Sequence, residues 1–229
     1  VNLGTVIKLA FNKCQGDFVS FLDVDDYWSE FKLQNQIKKF QINKNIDVVY
    51  SNYYKVENHK IKKTKKILHK GYCQKEIISS YINGSPLTAW LTLMIKKSAI
   101  DKLKYSFDKN THIASDFDLI IRLSALSKFE YTAQYLAYYR LHPNNESKSK
   151  KKEIDELIYI IKKYQKDKTI SSLFFNKNFA YKLYIKYFIF KKLKPNDIKN
   201  FTMIKKLNIN LLYFITKMIP QKILNSLIK

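Results

Sequence analysis

The feature that most constrains this chain is a short, mostly apolar run, Phe18-Val19-Ser20-Phe21-Leu22, which runs straight into Asp23-Val24-Asp25-Asp26. The run reads as a buried strand. In open α/β sheets, ligands bind at the carboxyl ends of strands, which is where this acidic cluster falls. Three carboxylates within four residues repel one another, and a divalent cation relieves that repulsion. Hard oxygen ligands suit Mg²⁺ or Mn²⁺, either of which would also neutralise a diphosphate. The competing reading is an Asp-rich turn that caps the next helix. Spacing alone leaves both open.

The rest of the chain sets this strand in an α/β context. Lys32 to Ile42 has helical spacing, with Leu33, Ile37 and Phe40 on one expected face. Asp47 to Tyr50 reads as a strand, Tyr53 to Ile61 as a strand or hairpin, and Tyr72 to Ile82 as a helix closed by the turn Asn83-Gly84-Ser85-Pro86. Trp90 to Ile95 reads as a strand, Lys97 to Leu103 as a short helix, and Asp116 to Leu126 as a clear helix. Phe129 to Thr132 and Tyr135 to Arg140 read as two short strands. Strands alternating with helices predict a largely parallel sheet.

Composition bounds the partners. With 46% hydrophobic and 15% aromatic residues, a folded domain is expected. The net charge of +23 points to an anionic partner: nucleic acid, a phospholipid surface or a phosphorylated substrate. All but two of the 42 basic residues are lysine, however, and the chain is also rich in Asn, Ile, Phe and Tyr, the set that A/T-rich codons specify. A nucleic-acid reader spends more arginine on bidentate contacts, so no nucleic-acid partner is expected. Cys14 and Cys73 lack metal-type spacing and argue against a disulfide scaffold, in keeping with a reducing compartment such as the cytoplasm. No secretory signal is visible, and no window of about 20 apolar residues predicts a membrane-spanning helix. Val1 in place of Met is read as the loss of an upstream segment.

Two further segments carry candidate chemistry. Ser115-Asp116-Phe117-Asp118 opens the helix that follows. Acids there are natural partners of the helix dipole. Two acids at i and i+2 do not share a helix face, so one can cap while the other points into a cleft. In Tyr138-Tyr139-Arg140-Leu141-His142-Pro143, Arg140 could hold a phosphate and His142 a metal. The bland readings are an Arg paired with a local acid, left open here, and an exposed loop His, which the residues alone favour.

Taken together these motifs resemble the family 2 glycosyltransferases of the GT-A fold. The resemblance rests on Asn2-Leu3-Gly4, on Gly16-Asp17-Phe18-Val19-Ser20-Phe21-Leu22-Asp23-Val24-Asp25-Asp26-Tyr27-Trp28, and on Lys32-Leu33-Gln34. Ser-Asp-Phe-Asp-Leu with Arg122 resembles the family's acidic acceptor-site motif, with Ser115 where Glu is usual. Tyr139-Arg140 with His142 resembles the Tyr-Arg-x-His stretch that closes its catalytic domain. The similarity spans roughly Val1 to Ser149.

The resemblance implies a Rossmann-like GT-A mixed sheet flanked by helices over residues 1–149, without the first nucleotide-binding βαβ segment, which would precede Asn2. It implies that Asp23 and Asp25 touch the donor's ribose and metal-bound diphosphate, with Asp26 a neighbouring ligand and Mn²⁺ or Mg²⁺ as cofactor. Asp116 matches the general base, with Asp118 as fallback. The implied reaction is a single displacement with inversion, from a nucleotide-sugar donor to a glycan or lipid-linked acceptor, in bacterial surface polysaccharide synthesis. A basic peripheral membrane module, or an inactive truncated relative, is the alternative.

Beyond Pro143 the character changes. Residues 150–229 read as a basic, amphipathic helical tail broken at Pro195 and Pro220, with 18 lysines against 5 acids from Lys151 onward. Asn178 to Leu193 is densely apolar and aromatic. Such helices either lie on an anionic membrane surface, here the inner face of the cytoplasmic membrane, or pack on the core.

Overall fold

A computed structural model of the chain describes residues 2–64, 69–82, 89–146, 149–164 and 167. Helix α1 (Leu3–Lys13) leads into strand β1 (Phe18–Ser20), followed by the two-residue strand β2 (Tyr27–Trp28) and helix α2 (Lys32–Ile42). Strand β3 (Val48–Glu57) turns back into β4 (Lys60–Lys63), and helix α3 (Gln74–Ile82) follows. A 3₁₀ turn at Trp90–Thr92 precedes β5 (Met94–Lys96), α4 (Lys97–Asp101), α5 (Ser115–Leu126), β6 (Phe129–Leu141) and α6 (Lys150–Tyr164).

The sheet order is β1-β5-β3-β6-β2, with β4 paired to β3. Among the described strands only β3 and β6 run parallel to each other; the other pairs are antiparallel. The largely parallel sheet predicted from alternation is therefore corrected to a mixed one. Alternation of strands and helices does not fix which strands become neighbours. Here Asn58 and His59, both at positive φ, reverse the chain within the β3–β4 hairpin, and β1 and β2 join the sheet antiparallel. β6 is one strand where two were predicted. Its irregularity lies between them, where the register against β3 shifts on either side of Asn52 and the Asn52 side chain donates to the Ala133 carbonyl.

Helices cover both faces. One face packs Val48, Tyr50, Leu93, Ile95 and Phe129 against Phe11 of α1, Ile77 of α3, Ile100 of α4 and Leu119, Ile120 and Leu123 of α5. The other packs Val49 and Met94 against Phe40 of α2. The buried stripe of α2 is Lys32, Gln36 and Phe40, while Leu33 is exposed, so the face read from apolar spacing is corrected by about one position. The reason is polar. Gln36 donates to the carbonyls of Val49 and Thr92, and Lys32 Nζ donates to Gln36 Oε1 and the Leu93 carbonyl while lying 4.2 Å from the Trp28 ring centroid. The buried carbonyls of Val49, Thr92 and Leu93 accept these bonds, which holds the polar side chains inward.

Helix α6 packs on the domain rather than standing off it. Ile160 and Tyr164 are buried, and Glu156 accepts the backbone N–H groups of His112 and Ala114 at 2.8 Å each. The predicted turn Asn83–Pro86 and the predicted helical tail from residue 168 onward, including Asn178 to Leu193, Pro195 and Pro220, lie outside the described residues. Among the described residues, no helix is long and apolar enough to cross a membrane.

Candidate active site at the sheet end

β1 and β2 are the two ends of the strand order, so residues 21–26 must traverse the end of the sheet. The acidic cluster sits on that crossing, in a turn closed by Asp26 N–H donating to the Asp23 carbonyl. The structure brings Asp23, Asp25 and Asp26 together, each offering a carboxylate oxygen within 4.8 Å of the others.

The second wall of the site comes from the end of β6. Asp26 Oδ1 accepts the Arg140 N–H at 2.8 Å, and Arg140 Nε donates to the Asp25 carbonyl. His142 Nε2 lies 2.7 Å from Asp25 Oδ2, and Asn145 Nδ2 donates to the same oxygen at 3.2 Å. His142 is therefore half-buried against the cluster, not the exposed loop residue that its sequence favoured. Its partner is 117 positions away in the chain, so no local pattern could reveal the contact. Asn145, which also donates to the Arg140 carbonyl and is buried, had no sequence signal beyond its place in a polar linker.

Crowding shows in the electrostatics. Burial, joined by the charges of Asp25 and Asp23 and opposed by the Arg140 N–H bond, pushes the Asp26 carboxyl up to about 7. Desolvation raises Asp23 as well, with Asp25 and then Glu146 adding to it. Asp26 Oδ2 is buried with no hydrogen-bond partner among the described residues. A set of carboxylate oxygens and one imidazole, with one oxygen left unpaired, fits a hard or borderline divalent cation.

The Ser115–Asp118 motif divides its two acids. Asp118 is 1% exposed and fully engaged: Arg122 holds it through Nε and Nη2, and Lys163 and Tyr164 of α6 donate to its other oxygen. Asp116 is half-buried and accepts the N–H of Phe117 at 2.6 Å. The loop before it is tied towards the acidic cluster. His112 Nδ1 accepts the Leu3 N–H, His112 Nε2 meets Glu146 Oε2 at 2.9 Å, and Glu146 acts electrostatically on Asp23. That bridge was not legible in sequence.

The family described as glycosyltransferase like family 2 matches residues 2–191. An uncharacterized glycosyltransferase of Methanocaldococcus jannaschii is 32% identical over 187 residues, covering 79% of this chain and 62% of that protein. Among solved structures, the crystal structure of S. aureus TarS 1–349 superposes with a TM-score of 0.57 at 14% identity, covering 94% of this chain and 58% of that one. A longer S. aureus TarS structure gives 0.55 at 12% identity, covering 87% and 33%. The chain thus spans under two thirds of the length of each. At these identities the structural likeness carries the fold, a mixed sheet flanked by helices of the GT-A type.

Proposed function

This chain belongs to the family 2 glycosyltransferases, and from that premise we propose that it moves a sugar from a nucleotide-diphosphate donor to a hydroxyl of a glycan or lipid-linked acceptor, with inversion. The observation that carries the reading is the convergence of Asp23, Asp25 and Asp26 with His142 at the sheet end.

Asp25, with Asp23, Asp26 and His142, would hold the divalent cation, Mn²⁺ or Mg²⁺, whose charge offsets that of the leaving diphosphate. Asp23, Asp25, Asp26 and Arg140 form the donor-binding group. Arg140, which already braces the cluster through its backbone and Nε, presents an exposed guanidinium suited to a phosphate oxygen. Asp116 is the general base. It takes the proton of the acceptor hydroxyl as that oxygen attacks the anomeric carbon, and the nucleoside diphosphate leaves from the opposite face. A sugar hydroxyl is a poor nucleophile, so a positioned carboxylate matters. Asp118 is the weaker candidate because its carboxylate is committed to Arg122, Lys163 and Tyr164.

We assign the setting to bacterial surface polysaccharide synthesis at the inner face of the cytoplasmic membrane. The Lys-rich, aromatic sequence of residues 168–229 supports that setting. Vesicle co-sedimentation that is salt-sensitive and lost when residues 168–229 are removed would support it.

The reaction is tested with the full-length gene product and a panel of nucleotide-diphosphate sugars in Mn²⁺, following release of the nucleotide. Asp25→Asn should abolish release. Asp116→Asn should keep donor binding and lose transfer by about 10²–10⁴-fold. Normal metal-dependent turnover in Asp25→Asn would overturn the reading.

A further inference from the structure

We propose that Asn145 is a positioning residue of the cation site: it fixes the Asp25 carboxylate and the turn that carries His142 in the arrangement a divalent cation meets. The role of the cation rests on the glycosyltransferase reading; the hold of Asn145 on Asp25 does not.

An asparagine side chain has one end that only accepts hydrogen bonds and one end with two N–H groups that only donate. Both ends are used here. Oδ1 accepts the His142 N–H at 2.6 Å, and the Asn145 backbone N–H returns to the His142 carbonyl at 3.2 Å, which closes the turn. Nδ2 donates to Asp25 Oδ2 at 3.2 Å and to the Arg140 carbonyl at 3.1 Å. These partners leave the side chain one orientation, since a carboxylate and a carbonyl need donors and a backbone N–H needs an acceptor.

The partners are the parts of the site that must agree with one another. Asp25 belongs to the acidic turn, His142 Nε2 meets the same Asp25 oxygen at 2.7 Å, and Arg140 braces that turn through its N–H to Asp26 Oδ1. Asn145 thus joins a carboxylate 120 positions away to two residues of its own segment. The segment is anchored on its far side as well. Glu146 Oε2 meets His112 Nε2 at 2.9 Å, and the Glu146 carbonyl accepts the Ser149 N–H at 2.9 Å.

Burial separates positioning from contact with substrate. Asn145 is 8% exposed and its donors are spent on the protein, so it acts through Asp25 and His142. Both bonds to the Asp25 carboxylate fall on Oδ2, and among the described residues none falls on Oδ1. One oxygen is held by the protein while the other is left for a ligand. A ring nitrogen that ligates a cation carries no proton, so the His142 bond to Oδ2 is given up once that nitrogen is used. The Asn145 N–H is the donor that remains. Groups that orient metal ligands in this way contribute about 10–100-fold in metal affinity.

The test titrates the full-length protein with Mn²⁺ alone and follows free Mn²⁺ by electron paramagnetic resonance, with circular dichroism to show that each variant is folded. Asn145→Ala removes both donors and should weaken Mn²⁺ binding by about tenfold or more. Asn145→Asp is nearly isosteric and keeps the acceptor for the His142 N–H, but it turns an oxygen towards Asp25 Oδ2 and the Arg140 carbonyl. It should also bind more weakly than wild type, even though it adds a negative charge. Equal or tighter binding in Asn145→Asp would overturn the proposal, because a site governed by charge alone gains from the extra carboxylate. This variant decides by itself if Asn145→Ala does not fold. Asn144→Ala, exposed on the same turn, should stay within about twofold of wild type. An Asn145→Ala protein that melts earlier yet binds Mn²⁺ as wild type does would make the residue a brace of the turn only, which also overturns the proposal. Asp25→Asn keeps the two readings apart. Lost binding there, with none lost in Asn145→Ala, sinks the positioning role alone; unchanged binding in Asp25→Asn removes the cation site and this proposal with it.

Discussion

A methyl group at residue 4 would stand 2.1 Å from the Asp108 carbonyl oxygen and 2.7 Å from that of Thr111. Backbone on both sides cannot yield as a flexible side chain would, so Gly4→Ala should cost about 1–3 kcal/mol of stability, read by urea unfolding. In the sequence this glycine stood out only as part of a resemblance, because its constraint comes from a loop a hundred residues away. Lys32 shows the same limit from the other side. It is fully buried, and that burial lowers its ammonium to about 7. Between that value and the usual lysine range, the unfolded chain holds a proton the folded chain has released, so stability contributed here rises with pH. The folded-state penalty is complete below about pH 7 and relaxes above it, with a slope bounded by about 1.4 kcal/mol per pH unit. Lys32→Met should remove that part of the slope between pH 7 and 9, and an unchanged slope would count against a strained ammonium. The Asp cluster, by contrast, was legible because its residues are neighbours in the chain.

At the scale of elements, the least legible feature is how α6 joins α5. The sequence shows an amphipathic helix after a lysine-rich linker, which fits a tail as well as a buttress. The structure shows a buttress over residues 150–164. Lys163 bridges Asp108 and Asp118, Tyr164 donates to Asp118, and Glu156 fixes the two N–H groups that lead into α5. Arg122 completes the set, bonding Asp118 and the carbonyls of Tyr105 and Ser106. Removing one partner of a buried ion pair leaves an uncompensated charge, so Arg122→Met should cost about 3–5 kcal/mol, whereas Tyr164→Phe should cost about 1 kcal/mol. Thermal unfolding followed by circular dichroism separates the two. Truncation after Ser149 should destabilise the domain, since it strips Ile160, Tyr164 and Glu156 at once. A truncated chain that melts at the parent's temperature would return α6 to the status of a tail. The helix positions of α2 and α5 were readable from periodicity. The inward face of α2 was not, because hydropathy cannot see that sheet carbonyls will recruit Lys32 and Gln36.

At the scale of the molecule, what sequence conveyed was the order of strand, acidic turn, helix and closing Tyr-Arg-x-His stretch. What it withheld was the topology that makes them one site, since β1 and β2 lie at opposite ends of the strand order and only folding carries residues 21–26 across to β6. That closure has a measurable consequence. The unfolded chain scatters Asp25 and His142, which are 117 positions apart, so a cation that uses both binds the native state and not the unfolded one. Such a ligand stabilises by roughly 2.7 kcal/mol at a hundred times its dissociation constant, and Mn²⁺ should therefore raise the melting temperature of the full-length protein in a concentration-dependent way. Asp25→Asn should abolish the rise. His142→Ala should reduce it, whereas His59→Ala, in the exposed hairpin turn, should leave it intact. Binding must also drive the proton from Asp26, whose carboxyl stands near 7, so the Mn²⁺-induced shift should grow from pH 6 to pH 8. A shift of equal size in wild type and Asp25→Asn would mean that the metal acts elsewhere, and that the sheet-end carboxylates are a structural turn after all.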